Sequence, residues 1–178
     1  MYRFYHLPYN SPTIGLYFYS EDYIKFVSNL KDYLSKKFEF IDYKESKYCE
    51  DLVLHGNIAC PIARLGDIEV VFLHYKTAEE ACVKWERRKL RINWNNIFFK
   101  MTEQNFCTEE HIKVFDSIST DKKFIFVSKD HHIGSQVFFT EYLGEDTVKI
   151  DTVNFRRYVS LTRFLNGRPF RKNQPSKN

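Results

Sequence analysis

Between Asp67 and Trp94 the chain concentrates side chains that could do chemistry. His74-Tyr75-Lys76 closes the apolar run Asp67 to Tyr75 and leads into a segment with helical spacing. A histidine changes charge near neutral pH and serves as acid or base, while a lysine supplies a point charge. In open α/β sheets, ligands collect beyond the carboxyl ends of strands. A helix starting there offers unbonded N–H groups and a partial positive charge, which suit a phosphate or a carboxylate. The competing reading packs His74 under the helix and leaves Lys76 solvated.

Lys84-Trp85-Glu86-Arg87-Arg88-Lys89-Leu90-Arg91 follows. On a helix Lys84, Arg88 and Arg91 fall on one side, and Arg87 points about 100° away from Arg88. Guanidinium groups hold phosphates and carboxylates through two parallel bonds, so the row could grip a nucleotide diphosphate, a phosphorylated sugar or an acidic glycan. It could equally be a solvated face, with Glu80 supporting Lys84 at i+4. Asn93 and Trp94 next to Arg91 would suit a sugar, since amides bond hydroxyls and an indole covers an apolar sugar face. The alternative is a helix end with Asn in turns and Trp94 in the core.

Asp67 and Glu69 share a strand face by alternation and could act as a base. A metal is not expected from a lone D-x-E, nor from the loop pair His131-His132. P-loop, G-x-G-x-x-G and G-x-S-x-G patterns are absent, which argues against the corresponding nucleotidase, dehydrogenase and hydrolase classes. The sequence names no cofactor.

The elements that must carry these groups alternate between strand and helix. Thr13 to Tyr19 reads as a buried strand, followed by a helix capped by Ser20 with Ile24, Val27, Leu30 and Leu34 facing the core. Glu39 to Asp51 reads as a loop with a short strand at its start. Asp67 to Tyr75 is apolar on both faces, the mark of a covered central strand. Thr77 and Glu80 form a capping box for the helix that buries Ala78, Ala81, Cys82 and Trp85. Further strands are expected at Ile97 to Met101, Lys123 to Ser128, Gln136 to Tyr142 and Val148 to Ile150. Thr108 caps a helix with Ile112, Phe115 and Ile118. A final helix starts at Asp151 or Thr152, carries Tyr158, Leu161 and Leu165, and stops at Gly167. The expected fold is α/β, a three-layer α/β/α arrangement around a mixed, partly parallel sheet.

With 178 residues, the chain suits one domain, residues 1–167, with 168–178 as a basic, frayed tail. Met1 leads straight into Tyr2-Arg3-Phe4-Tyr5 with no polar leader, as if the chain started in the middle of a larger fold. The net charge of +4 is too mild to point to nucleic acid. Cys49, Cys60, Cys82 and Cys107 form no C-x-x-C pair; reduced thiols and a cytoplasmic location are expected. No apolar run approaches the roughly 20 residues needed to span a bilayer.

Several segments together resemble a bacterial domain family of unknown function (the domain of unknown function 1919 family), often labelled exopolysaccharide biosynthesis protein. They are S-P-T-I-G-L-Y-F at Ser11 to Phe18, E-D-Y-I-K-F at Glu21 to Phe26 and P-I-A-R-L-G-D-I-E at Pro61 to Glu69. The likeness continues in H-Y-K-T-A-E-E-A at His74 to Ala81, K-W-E-R-R at Lys84 to Arg88 and R-I-N-W at Arg91 to Trp94. The resemblance implies a three-layer α/β/α fold and a place among capsule and exopolysaccharide proteins. Family members tend to begin with an additional strand ending in a Cys-Trp-Gly-Gly-like turn, which this chain lacks.

The expected function is therefore a cytoplasmic transferase acting on a nucleotide sugar or a phosphorylated glycan. His74, Asp67 and Glu69 would be its catalytic groups, and Lys76, Lys84, Arg87, Arg88, Arg91, Asn93 and Trp94 its substrate contacts. Its partners would be an anionic sugar or nucleotide sugar and a membrane-bound polysaccharide-assembly protein. The alternative is a non-catalytic carbohydrate- or nucleotide-binding or scaffolding protein of the same pathway.

Overall fold

The computed structural model describes residues 10–171 and divides the chain into two compact units, Met1–Trp94 and Asn95–Asn178. The expectation of an α/β fold holds: among the described residues there are helices and two three-stranded sheets, one antiparallel and one parallel. The readings placed on Met1 to Tyr5 and on 172–178 lie outside the described residues.

In the first unit β1 (Glu39–Ile41), β2 (Ile62–Leu65) and β3 (Ile68–Val71) form the antiparallel sheet in the order β1-β2-β3. Every residue of β3 is buried, as two-sided apolarity requires. The strand is nevertheless shorter than its apolar run. Phe72 donates its N–H to Pro61, outside the ladder, and Tyr75 N–H closes a turn onto Phe72 O. Two segments escaped the sequence reading, β2 and the helix α3 (Cys49–Leu54).

The expected strand Thr13 to Tyr19 is replaced by a turn and one isolated bridge. Leu16 N–H bonds Thr13 O at 3.1 Å, and Gly15 adopts the left-handed φ of 77°. Only Tyr17 reaches the sheet, exchanging backbone bonds of 2.8 and 3.0 Å with Val71. A Cβ at Gly15 would lie 3.0 Å from the Tyr75 ring. Gly15→Ala is thus expected to cost about 1–2 kcal/mol, from the left-handed backbone alone; urea unfolding midpoints check this.

Helix α1 (Ser20–Ser28) has Tyr19, not Ser20, at its N-cap; Ser20 is its buried first residue. Asn29 breaks the expected single helix, and α2 (Leu30–Ser35) follows. Helix α4 (Ala78–Lys89) starts as expected: Thr77 Oγ1 accepts the Glu80 N–H. Its buried face is Ala81, Trp85 and Arg88. Trp85 packs among Phe26 and Phe38, and Phe38 meets Phe72 edge-on.

In the second unit β4 (Phe99–Thr102), β5 (Lys123–Val127) and β6 (Gln136–Phe138) are parallel in that order. Helix α5 (Glu109–Ser117) joins β4 to β5 and has a full capping box, Thr108 with His111. Its core-facing residues are Ile112 and Phe115. Val148 to Ile150 forms no strand; Val148 is buried and its N–H bonds Glu103 O. In place of one final helix there is a short 3-10 turn, Phe155–Arg157, and α6 (Leu161–Leu165), whose buried residue is Phe164. Gly167 follows α6 at a φ of 63°, the expected stop. The basic end is held as far as Arg171: Ser160 N–H bonds Phe170 O, and Val159 pairs with Arg171.

Candidate functional site

In the first unit Asp67, Glu69 and Arg88 are each committed to separate partners. Asp67 stands in the β2–β3 hairpin turn, where it accepts the Tyr33 hydroxyl at 2.7 Å and meets Lys25 at 3.5 Å. The Tyr33 hydrogen bond, more than anything else, holds its carboxyl below the ordinary range. Glu69 is buried and committed elsewhere, accepting the Ser46 hydroxyl at 2.5 Å and the Lys47 N–H at 3.2 Å. The backbone N–H of Glu69 bonds Asp22, whose carboxylate also holds Lys47 Nζ at 2.6 Å. Burial raises the Asp22 carboxyl above its ordinary range despite Lys47. Asp67 and Glu69 therefore share no partner among these bonds, and Glu69 is a fastener between β3 and the α1 and Ser46 segments.

Arg88, expected to reach for an anion, turns inward. It donates to Ile14 O at 3.0 Å and to the Tyr75 hydroxyl, and Tyr75 itself donates to Ile14 O at 2.6 Å. The guanidinium thus pins the Thr13–Leu16 turn. Lys84 pairs with Glu80 and lies 5.3 Å from the Tyr75 ring centre. Arg87 and Arg91 are exposed, as are His74, Lys76, Asn93 and Trp94. Lys31 sits 5.4 Å from the Trp94 ring centre. Lys76 contributes its backbone N–H to Glu80. Arg88 is buried where an exposed anion contact was expected, because its i+3 relation to buried Trp85 carries it into the core.

The second unit contains a denser arrangement, at the carboxyl ends of its parallel strands. Glu103 leaves the sheet directly after β4, its N–H on Phe126 O at 2.9 Å. Ser128 leaves directly after β5. Between them lies His131, its imidazole almost fully enclosed. Nε2 is 2.8 Å from Glu103 Oε1, and Nδ1 is 2.7 Å from Glu109 Oε2. The other Glu103 oxygen accepts the Ser128 N–H at 2.7 Å. Ser128 Oγ lies 2.9 Å from that oxygen and 2.7 Å from Glu145 O, with one proton to serve either.

Local chemistry explains why His131 stands there. Its N–H donates to Gln136 Oε1 at 3.0 Å, and Gln136 Nε2 donates to Asp130 Oδ1 at 2.7 Å. Asp130 also accepts the His132 N–H at 2.8 Å, a turn that holds His132 at a φ of 56°. On the other side, the link from Glu103 to the N-cap Thr108 carries two consecutive left-handed residues, Asn105 and Phe106. Such conformations in non-glycine residues concentrate at functional positions. Each ring nitrogen of His131 therefore faces a carboxylate oxygen, and neither is open to another partner. The His131 hydrogen bond is the largest influence lowering the Glu109 carboxyl.

Asp151 supports the same edge. It accepts Thr102 Oγ1 at 2.5 Å and pairs with Lys100. Burial raises its carboxyl, but the Lys100 charge and the two side-chain hydrogen bonds outweigh that and hold it below the ordinary aspartate range. A carboxyl depressed in the folded chain stabilises above its unfolded pKa. Stability from Asp151 is expected to be full near neutral pH and lost as acid carries the solution through the folded value. Lys100→Met should flatten that acid limb of a stability–pH curve.

Sequence reasoning placed His131 in a turn and passed over Glu103, Glu109 and Ser128. The signal was present, since T-E-Q and S-K-D-H follow the two apolar strands of the parallel pair. The rule that sites form at strand carboxyl ends points to these residues as well as to His74.

Fold and geometry define a mixed α/β protein with a histidine–carboxylate centre on a parallel sheet edge. The chain belongs to the family described as "Domain of unknown function (DUF1919)", whose profile matches residues 1–166. It is also 31% identical over 126 residues to a Haemophilus influenzae protein described as uncharacterized. That match covers 71% of this chain and 55% of the relative, so the chain spans about half the relative's length. Among the described residues, no helix is long and apolar enough to cross a membrane.

Proposed function

We propose that the chain is a transferase of exopolysaccharide or capsule biosynthesis, acting in the cytoplasm on a nucleotide sugar or phosphorylated glycan. The observation that carries the chemistry is the His131 imidazole, oriented by the buried Glu103 at the carboxyl edge of β4 and β5. A buried carboxylate that fixes the tautomer of a histidine is the pairing a general base needs. An acceptor hydroxyl passes its proton to His131. Its oxygen bonds the anomeric carbon while the carbon–oxygen bond to the diphosphate breaks, and the nucleoside diphosphate leaves with the electron pair. Lys113 and Lys129 act electrostatically on Glu109 and are the cations of this unit that would meet the departing charge.

In the first unit the exposed Arg87, Arg91, Lys76 and Trp94 remain candidates for contacts with an anionic glycan or with a membrane-bound assembly protein. The pathway itself is supported by the family likeness of the segments between Ser11 and Trp94.

A screen of nucleotide sugars, read for both melting point and nucleoside diphosphate release, tests this reading. Release is the expected result. A ligand that raises the melting point and is never turned over would favour a non-catalytic binding protein of the same pathway.

A further inference from the structure

The two carboxylates on His131 are not equivalent. The Glu103 side chain is 4% exposed and shares its second oxygen with Ser128. The Glu109 side chain is 50% exposed and belongs to the first residue of α5. The imidazole between them is only 2% exposed, so the exposed carboxylate is its cover on one side. A general base works when one ring nitrogen donates to the orienting carboxylate and the other accepts from the substrate. With Glu109 in place both nitrogens are taken by carboxylates, and neither is open to a substrate proton.

We propose that the Nδ1 side of His131 is the seat of the substrate hydroxyl, and that Glu109 is a displaceable carboxylate occupying it in the resting chain. This rests on the acid–base reading of the Glu103–His131 pair. Glu109 can swing because it is the first residue of α5 and its side chain is half exposed. On its departure Nδ1 faces the seat as the acceptor, and Nε2 keeps its hydrogen bond to Glu103. The seat then takes a hydroxyl, which donates to Nδ1 while Glu103 holds the opposite ring nitrogen; Lys113 and Lys129 are the charges that act on the position Glu109 leaves, and Asp130 is engaged by Gln136 and His132.

The test uses diethyl pyrocarbonate, which acylates neutral imidazole nitrogens, with peptide mass spectrometry following each histidine. His74, exposed in the first unit, is the internal reference. In the wild type His131 should react far more slowly than His74. Glu109→Ala should speed acylation of His131 by roughly tenfold or more, since one charge-assisted hydrogen bond no longer holds and covers the ring. Glu109→Gln, which keeps the shape, should fall between. His131 as reactive as His74 in the wild type, or unmoved in Glu109→Ala, overturns the proposal.

A second arm reads the seat itself. In Glu109→Ala the KM for the acceptor should fall, because a hydroxyl no longer competes with a carboxylate; an unchanged or raised KM overturns the seat. Acylation needs no turnover. Loss of the acid–base reading would therefore show as wild-type rates in a His131 variant, separately from any failure of Glu109 to cover the ring.

Discussion

Glu103→Gln is expected to lower turnover by about 10²–10⁴-fold, the span over which general acid–base groups act, with little change in fold. The reason lies in which atoms can donate. Glu103 Oε2 accepts from the Ser128 N–H, so the glutamine carbonyl oxygen takes that place. Its amide nitrogen then faces His131 Nε2 and donates to it. A nitrogen that accepts cannot carry the proton, so the imidazole is forced to hold its proton on Nδ1. That is the nitrogen that must accept from the substrate. The variant keeps its hydrogen bonds and loses the working tautomer. Steady-state rates, paired with a melting curve to show an intact fold, read both halves of the expectation.

Arg88→Ala is the second large effect, and its direction reverses what the sequence suggests. A guanidinium placed to bind an anion would be removable without harm to stability. The buried Arg88 instead holds Ile14 O and the Tyr75 hydroxyl. Hydrogen bonds to charged groups contribute about 1.5–3 kcal/mol each, and the truncation also empties space beside Trp85. A loss of about 3 kcal/mol is expected on unfolding the first unit. Arg87→Ala and Arg91→Ala, at exposed positions, should stay within about 0.5 kcal/mol. Denaturant titrations of the three variants separate these outcomes.

How far the sequence speaks depends on whether a signal is local. The start of α4 was legible because Thr77 and Glu80 cap it within four residues, and α5 because Thr108 does the same. The central place of β3 was legible from apolar residues on both faces. Thr13 to Tyr19 misled because its apolar character is real but serves a turn: Gly15 takes a left-handed conformation fixed by Arg88 and Tyr75, residues some sixty or more positions away. The burial of Arg88 had a local signal, the stripe Ala81, Trp85, Arg88 at i, i+4 and i+7, which the preference for solvated arginine overrode. The His131 centre is assembled from three segments, after β4, after β5 and at the start of α5. No spacing within one segment announces it; only the parallel register of β4 on β5 brings Glu103 to His131.

The most direct single measurement is the rate of nucleoside diphosphate release from a nucleotide sugar by the wild type and by His131→Gln, side by side. The glutamine can keep a hydrogen bond to Glu103 but cannot accept and return a proton at neutral pH. A fall of about a hundredfold or more is predicted. Equal rates in the two proteins would contradict the account and leave the Glu103–His131–Glu109 bridge as a structural tie between the strand ends and α5.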